Sequence, residues 1–150
     1  MKKVVVDTNV IAAAIWTQKK NTFNTIIFDK VIKNEILNYA CNQIYGEVVN
    51  IFNNDPKLKT TNKQYFYAKF DSFIQSSLLI KQPKLEKKRE ECGKLLEGIT
   101  SEDRDIVLTC LVSGANYLIT WDEKLLNAIS GNPGFNNLKA LKPQDFVKVP

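Results

Sequence analysis

The sequence predicts an α/β fold: a short, mostly parallel central sheet flanked by helices, in a single domain over residues 1–150. Three observations predict it. Short apolar runs rich in β-branched residues alternate with stretches of helical period, the pattern of parallel strands joined by helices. The first run, Val4-Val5-Val6, has no polar alternation, as a strand covered on both faces requires. Finally, 150 residues suffice for one substantial core, and 44% hydrophobic with 25% charged residues is the balance of a folded domain.

Taken in chain order, Val4–Val6 is the first strand, and Asp7-Thr8-Asn9 ends it with three residues that favour turns and helix caps. Val10–Trp16 is a compact apolar helix, and Gln18–Thr25 a polar connection. Ile26-Ile27-Phe28 reads as a second strand, followed by an amphipathic helix over Val31–Cys41 with Val31, Ile32, Ile36, Leu37 and Ala40 on its apolar side. Ile44, Val48, Ile51 and Phe52 mark a helix that stops before Asp55-Pro56. Phe66, Phe70, Phe73 and Ile74 mark another, Leu78-Leu79-Ile80 is a short strand, and Lys84–Leu96 is a charged helix. A helix over Asp103–Val112 stops at Gly114, and Tyr117–Thr120 is a strand. Trp121-Asp122 opens a short helix, Asn132-Pro133-Gly134 is a turn, and Leu138–Leu141 is the last strand.

Composition narrows the chemistry. There is no histidine, which removes imidazole acid/base catalysis, Ser/His and Cys/His nucleophile pairs and imidazole metal sites. Three cysteines, Cys41, Cys92 and Cys110, form no CxxC pair and no even disulfide set, which points to a reduced, cytoplasmic setting. No apolar run reaches the roughly 20 residues of a membrane span, and Asp7 interrupts the stretch after Met1-Lys2-Lys3 too early for a secretory signal. A net charge of +5 suggests a polyanionic partner. Hydrolysis, if there is any, falls to carboxylates, hydroxyls, lysines or an oxygen-held metal.

In open parallel sheets ligands gather beyond the carboxyl ends of the strands. Asp7 and Asp122 each follow a predicted strand there, Asp103 lies in the first turn of a helix, and Glu35 lies early in the helix after Phe28. With right-handed crossovers these four acids can converge on one edge. Each also has a structural role open to it: capping for Asp7 and Asp122, worth about 1 kcal/mol, a first-turn dipole contact for Asp103, and a solvated face for Glu35. As a group they differ. Two bare carboxylates 4 Å apart repel by about 4 kcal/mol at an effective dielectric of 20, so converging acids need a proton, a lysine or a cation. Hard oxygen donors without imidazole select Mg²⁺ or Mn²⁺.

The segment VVVDTNVIAAAI (residues 4–15) is similar to the first motif of the PIN domain family, the nuclease fold of VapC-type toxins. EDRDIVLTCLVSGANYLITWDEKLL (102–126) resembles the family's second half: an acid, a helix, a short strand, then Thr-x-Asp. FDKVIKNEIL (28–37) resembles the segment that carries the family's glutamate, and LKPQDF (141–146) its close. The likeness is weakest from Asn53 to Ile99. It implies that Asp7, Glu35, Asp103 and Asp122 bind metal and catalyse, with Asn9 and Thr120 in support. Asp105 competes with Asp103, from which it points about 200° away on a helix, and Glu47 competes with Glu35. Spacing from Asp122 and from Phe28 favours Asp103 and Glu35. Trp121 stands where many relatives have a small or amide residue.

The resemblance further implies a Mg²⁺- or Mn²⁺-dependent endoribonuclease that cuts single-stranded RNA to 3′-hydroxyl and 5′-phosphate ends. An antitoxin partner and a homodimer follow by the same likeness. Two rivals remain: a phosphatase forming an aspartyl-phosphate at Asp7, and a catalytically silent PIN-like module that binds RNA or protein. Lys57, Lys59, Lys63, Lys69, Lys81, Lys84, Lys87, Lys88 and Arg89 crowd the middle region, either as a solvated face or as a basic rim for RNA. Tyr65, Phe66, Tyr67 and Phe70 fit core packing better than base stacking, and the cysteines fit burial.

Overall fold

The computed structural model describes residues 1–17, 19–56 and 62–150. Five strands, β1 (Lys3–Val6), β2 (Leu37–Ala40), β3 (Ser77–Leu79), β4 (Tyr117–Ile119) and β5 (Lys139–Leu141), form one sheet in the order β3-β2-β1-β4-β5. Every neighbouring pair is parallel. The described helices are α1 (Thr8–Trp16), α2 (Phe23–Ile32), α3 (Asn42–Asn54), α4 (Lys63–Gln75), α5 (Gln82–Glu91), α6 (Arg104–Ser113), α7 (Glu123–Ser130) and α8 (Pro143–Phe146), with a 3₁₀ turn at Pro133–Phe135. Among the described residues no helix is long and apolar enough to cross a membrane.

Val4, Val5 and Val6 are buried, as a central strand between two helical layers demands. One core runs through the molecule, with Phe28 stacked on Phe73 at 5.0 Å and Phe52 on Phe66 at 3.8 Å. Phe66 and Phe70 point into it, whereas Tyr65 and Tyr67 stay over 40% exposed, so only half of that aromatic run packs as expected. Cys41 and Cys110 are buried and Cys92 is half-buried, all three as free thiols.

Two expected elements are corrected. Ile26-Ile27-Phe28 lies inside α2, which Thr22 caps by accepting a bond from Thr25 N–H; Ile27 and Val31, four apart, share its buried side. The expected helix over Val31–Cys41 does not form. Asn34 takes a left-handed φ of 58°, which ends the helical stretch, and Leu37–Ala40 pairs with β1 instead. A buried polar residue disguises this strand. Asn38 is fully buried because its Oδ1 accepts from Val6 N–H at 3.0 Å and its Nδ2 donates to Ser77 Oγ at 2.9 Å. The charged helix α5 is also shorter than expected, ending at Glu91, with turns through residues 92–98.

The strand order has a functional consequence. The chain builds outward from β1 to β2 and β3, then returns to the other side for β4 and β5. The order therefore reverses between β1 and β4, and in open α/β sheets the crevice beyond the carboxyl ends at such a reversal is where ligands bind.

Candidate active site

Both flanks of that crevice carry acids. Asp7 ends β1 and caps α1: its N–H donates to Ile119 O at 2.9 Å, and its Oδ1 accepts from Thr8 N–H at 2.7 Å. Its Oδ2 accepts from Thr120 Oγ1 at 2.7 Å. Thr120, fully buried, also accepts from Asp122 N–H at 3.0 Å, so one hydroxyl ties the ends of β1 and β4 together. Asp122 caps α7 through Oδ1, which accepts from Lys124 and Leu125 N–H. Asn9 Oδ1 accepts from Trp121 N–H at 3.4 Å, a second tie across the crevice.

Two further acids face this pair. Glu47 projects from α3, where Thr8 Oγ1 donates to its Oε2 and Gln43 Nε2 to its Oε1, each at 2.7 Å. Gln43 also donates to the Glu102 carbonyl, linking α3 to the segment before α6. Asp103 stands at the N-cap of α6 with Oδ2 accepting from Thr100 Oγ1 at 2.9 Å. Asp7 is only 5% exposed, and burial raises its carboxyl to about pKa 6 against the bonds from Thr120 and Thr8; the charges of Glu47 and Asp103 raise it further. Burial also raises Asp103, with added repulsion from Asp122, Glu47 and Glu102. Four carboxylates thus sense one another at a single edge.

The sequence model of the PIN domain family matches residues 3–124, most of the chain and all four of these acids. The chain belongs to the PIN domain family. No curated protein sequence matches it. Among solved structures, this PIN domain is similar to PAE2754 from Pyrobaculum aerophilum (16% identity, TM-score 0.62, 97% of this chain and 87% of that one). It is also similar to VapBC2 from Rickettsia felis, solved bound to a DNA fragment from its promoter (17%, 0.57, 93% and 98%). FitAcB from Neisseria gonorrhoeae matches comparably (17%, 0.56, 94% and 98%). At these identities the likeness concerns the fold.

The PIN fold sorts the expected residues. Asp7, Asp103 and Asp122 come to the β1–β4 crevice, with Asn9 and Thr120 between them. Glu35 does not. It lies in the turn before β2, at the opposite edge of the sheet, exposed and 3.5 Å from Lys30 Nζ. The reason is the corrected secondary structure: residues 34–36 enter a strand where they were expected to continue a helix beyond one. Glu47 occupies the place that Glu35 was expected to fill. Asp105 points away, held by Arg89 at 2.6 Å, as helical geometry requires of a residue two positions from Asp103. Sequence reasoning also missed Thr8 and Gln43, which hold Glu47; the hydroxyl between Asp7 and Asn9 was the available signal for Thr8.

Among the described residues no three His, Cys, Asp or Glu side chains stand close enough to ligate one ion as placed. The donor chemistry nevertheless fits a hard divalent cation. All four acids offer oxygen, and they repel one another with no ion pair to any of them among the described residues. Two nearby arginines have other partners: Arg89 is bonded to Asp105, and Arg104 Nε donates to Ile99 O; Lys124 lines a concavity with Asp103 and is the cation nearest to hand for that acid. Of the basic rim, Lys57 and Lys59 lie outside the described residues, and Lys88 and Arg89 are paired with Glu91 and Glu86 on their own helix. A concavity of about 420 Å³ around Lys2, Asn116 and Lys139 opens at the far edge and takes no part in the acid cluster.

Proposed function

We propose that this PIN domain is a Mg²⁺- or Mn²⁺-dependent endoribonuclease that cuts single-stranded RNA, with Asp7, Glu47, Asp103 and Asp122 as its metal-binding acids. The observation that carries the reading is Asp7, a carboxyl buried at the strand-order reversal and held near pKa 6 with acidic neighbours. An isolated cap would gain nothing from that company; a cation site needs it. The ion, when bound, would acidify water and offset the charge that develops on the phosphate.

The protein groups have separate tasks. Thr120 and Thr8 N–H fix both oxygens of Asp7, so its free lone pairs have one direction. Gln43 and Thr8 orient Glu47, leaving its remaining lone pairs to hold or accept a proton near the phosphate. Asp122 uses Oδ1 for its cap, which leaves Oδ2 for the crevice. Cleavage by activated water would leave 3′-hydroxyl and 5′-phosphate ends. Membership of this family further supports a toxin restrained by an antitoxin partner, acting as a homodimer in the cytoplasm.

The test is incubation of mixed single-stranded RNA with the purified chain in Mg²⁺, Mn²⁺ or EDTA, beside Asp7→Asn. Cleavage that needs metal and is lost in Asp7→Asn is the expected result. Equal cleavage by both preparations would assign the activity to a contaminant, and neither RNA cleavage nor ion binding would favour the silent module.

A further inference from the structure

Next to Asp122 stands an aromatic side chain that the proposed chemistry does not use, tied to the start of α2. Trp121 separates Thr120 from Asp122, and its indole N–H donates to Asn24 Oδ1 on α2 at 2.7 Å. The ring is half-buried and held from a second element, so its orientation is set before any ligand arrives. Phe23, immediately before Asn24, is 45% exposed, and Trp16 at the end of α1 is 47% exposed. Lys19 and Lys20, between them in the chain, are exposed, and residues 16–24 contain no acid. Single exposed apolar side chains are ordinary; Trp121 next to Asp122, bonded to the α2 turn that carries exposed Phe23 and follows exposed Lys19 and Lys20, makes a composite of aromatic and basic groups with a definite complement.

That complement carries flat apolar faces and negative charge at short, regular intervals. Single-stranded nucleic acid does so, because proteins bind it by stacking bases on aromatic rings while cations track the backbone. We propose that Trp121 and Phe23 form a base-stacking platform for single-stranded RNA, with Lys19 and Lys20 binding its phosphates, so that these four residues guide the strand to the acids. This rests on the ribonuclease reading and adds the surface by which the site engages its substrate.

The test uses the full chain with Trp16→Phe, which leaves Trp121 as the sole tryptophan, and Ca²⁺ in place of Mg²⁺ to hold cleavage off. A 12-nucleotide RNA should quench Trp121 fluorescence, and replacing alternate bases by abasic spacers should weaken binding roughly ten-fold. Trp121→Leu should lose a similar factor on intact RNA and respond less to the spacers, with Trp121→Leu/Phe23→Leu indifferent to them, whereas Trp121→Phe should keep most of the affinity. Phe23→Leu, at an exposed position, gives the same readout without a folding risk. Spacer RNA that binds the parent chain as tightly as intact RNA, an unmoved Trp121 signal, or quenching by single-stranded DNA alone would overturn the proposal. If the unmodified chain cleaves RNA in Mg²⁺ while these signals stay flat, only the platform falls; if it neither cleaves nor binds RNA, the ribonuclease reading falls first.

Discussion

Replacing Asp7 by Asn should make the metal-free protein more stable at neutral pH, the reverse of the usual effect of mutating a buried, bonded side chain. Asp7 has its carboxyl raised from 3.8 to about 6 in the fold. A carboxyl raised in this way works against folding once the unfolded chain can ionise. The cost begins near pH 4 and is complete above about pH 6, where it amounts to about 3 kcal/mol. Asparagine removes that cost. It keeps an oxygen for Thr8 N–H but turns an amide towards Thr120 Oγ1, whose hydrogen then loses its acceptor, at about 1 kcal/mol. The net expectation is a gain of about 2 kcal/mol at pH 7.5, near 4–8 °C in melting temperature for a chain of this size. At pH 4, where little of the ionisation cost has developed, the two proteins should be about equal. Urea unfolding followed by circular dichroism in EDTA, at both pH values, measures this directly. With Mg²⁺ at a hundred times its dissociation constant the parent chain should gain about 2.7 kcal/mol and the variant little, reversing the order. An Asp7→Asn protein less stable than the parent at pH 7.5 in EDTA, or a difference that ignores pH, would refute the reasoning.

Other perturbations separate the cluster from its surroundings. Glu47→Gln should abolish RNA cleavage while Glu35→Gln leaves it unchanged, and the latter should move stability by less than about 1 kcal/mol because its partner Lys30 is also at the surface; a cleavage assay on both variants decides which glutamate serves the site. Thr120→Val should cost about 1–3 kcal/mol in urea unfolding, since it strips a partner from buried Asp7 and from Asp122 N–H together, and Thr120→Ser should restore most of it. Gly114→Ala should cost about 1 kcal/mol by thermal unfolding, with no change in metal affinity, because Gly114 ends α6 at φ 69° at the edge away from the acids.

How far the site could be read from the residues depends on what each reading needed. Asp7 and Asp122 follow strands whose β-branched or aliphatic runs are explicit, and capping residues after such runs announce the carboxyl edge. Asp103 came from the family resemblance, with the count back from Asp122 through Gly114 favouring it over Asp105, and Asp105 turns to Arg89. Glu35 failed for a different reason. Three adjacent apolar residues, Ile26-Ile27-Phe28, look alike in a strand and in a helix whose neighbours lie close on both sides. Read as a strand, they place Glu35 early in the next helix; formed as α2, they place it on the far edge. The real strand, Leu37–Ala40, hides behind Asn38, whose burial makes sense only when Val6 and Ser77 are beside it. A polar residue in a core is therefore legible from tertiary partners and not from the local pattern.

The same dependence explains why Glu47, weighed against Glu35, was set behind it. On α3 it has the sequence profile of any exposed helical glutamate, and its role emerges only from Thr8 and Gln43, one of them 39 residues away. Thr8 is the instructive member. Its backbone N–H binds Asp7 and its hydroxyl binds Glu47, so one residue aligns two acids that belong to different helices. Removing that hydroxyl would leave the Asp7 bond intact and free Glu47 to turn, a loss of alignment without a loss of ligands. The cluster is thus organised by neutral hydroxyls as much as by charge: Thr120 joins the strand ends, Thr8 joins the first strand's end to α3, and Thr100 holds Asp103. Repelling carboxylates cannot hold one another in place, and hydroxyls can, because each donates to an acid without neutralising it.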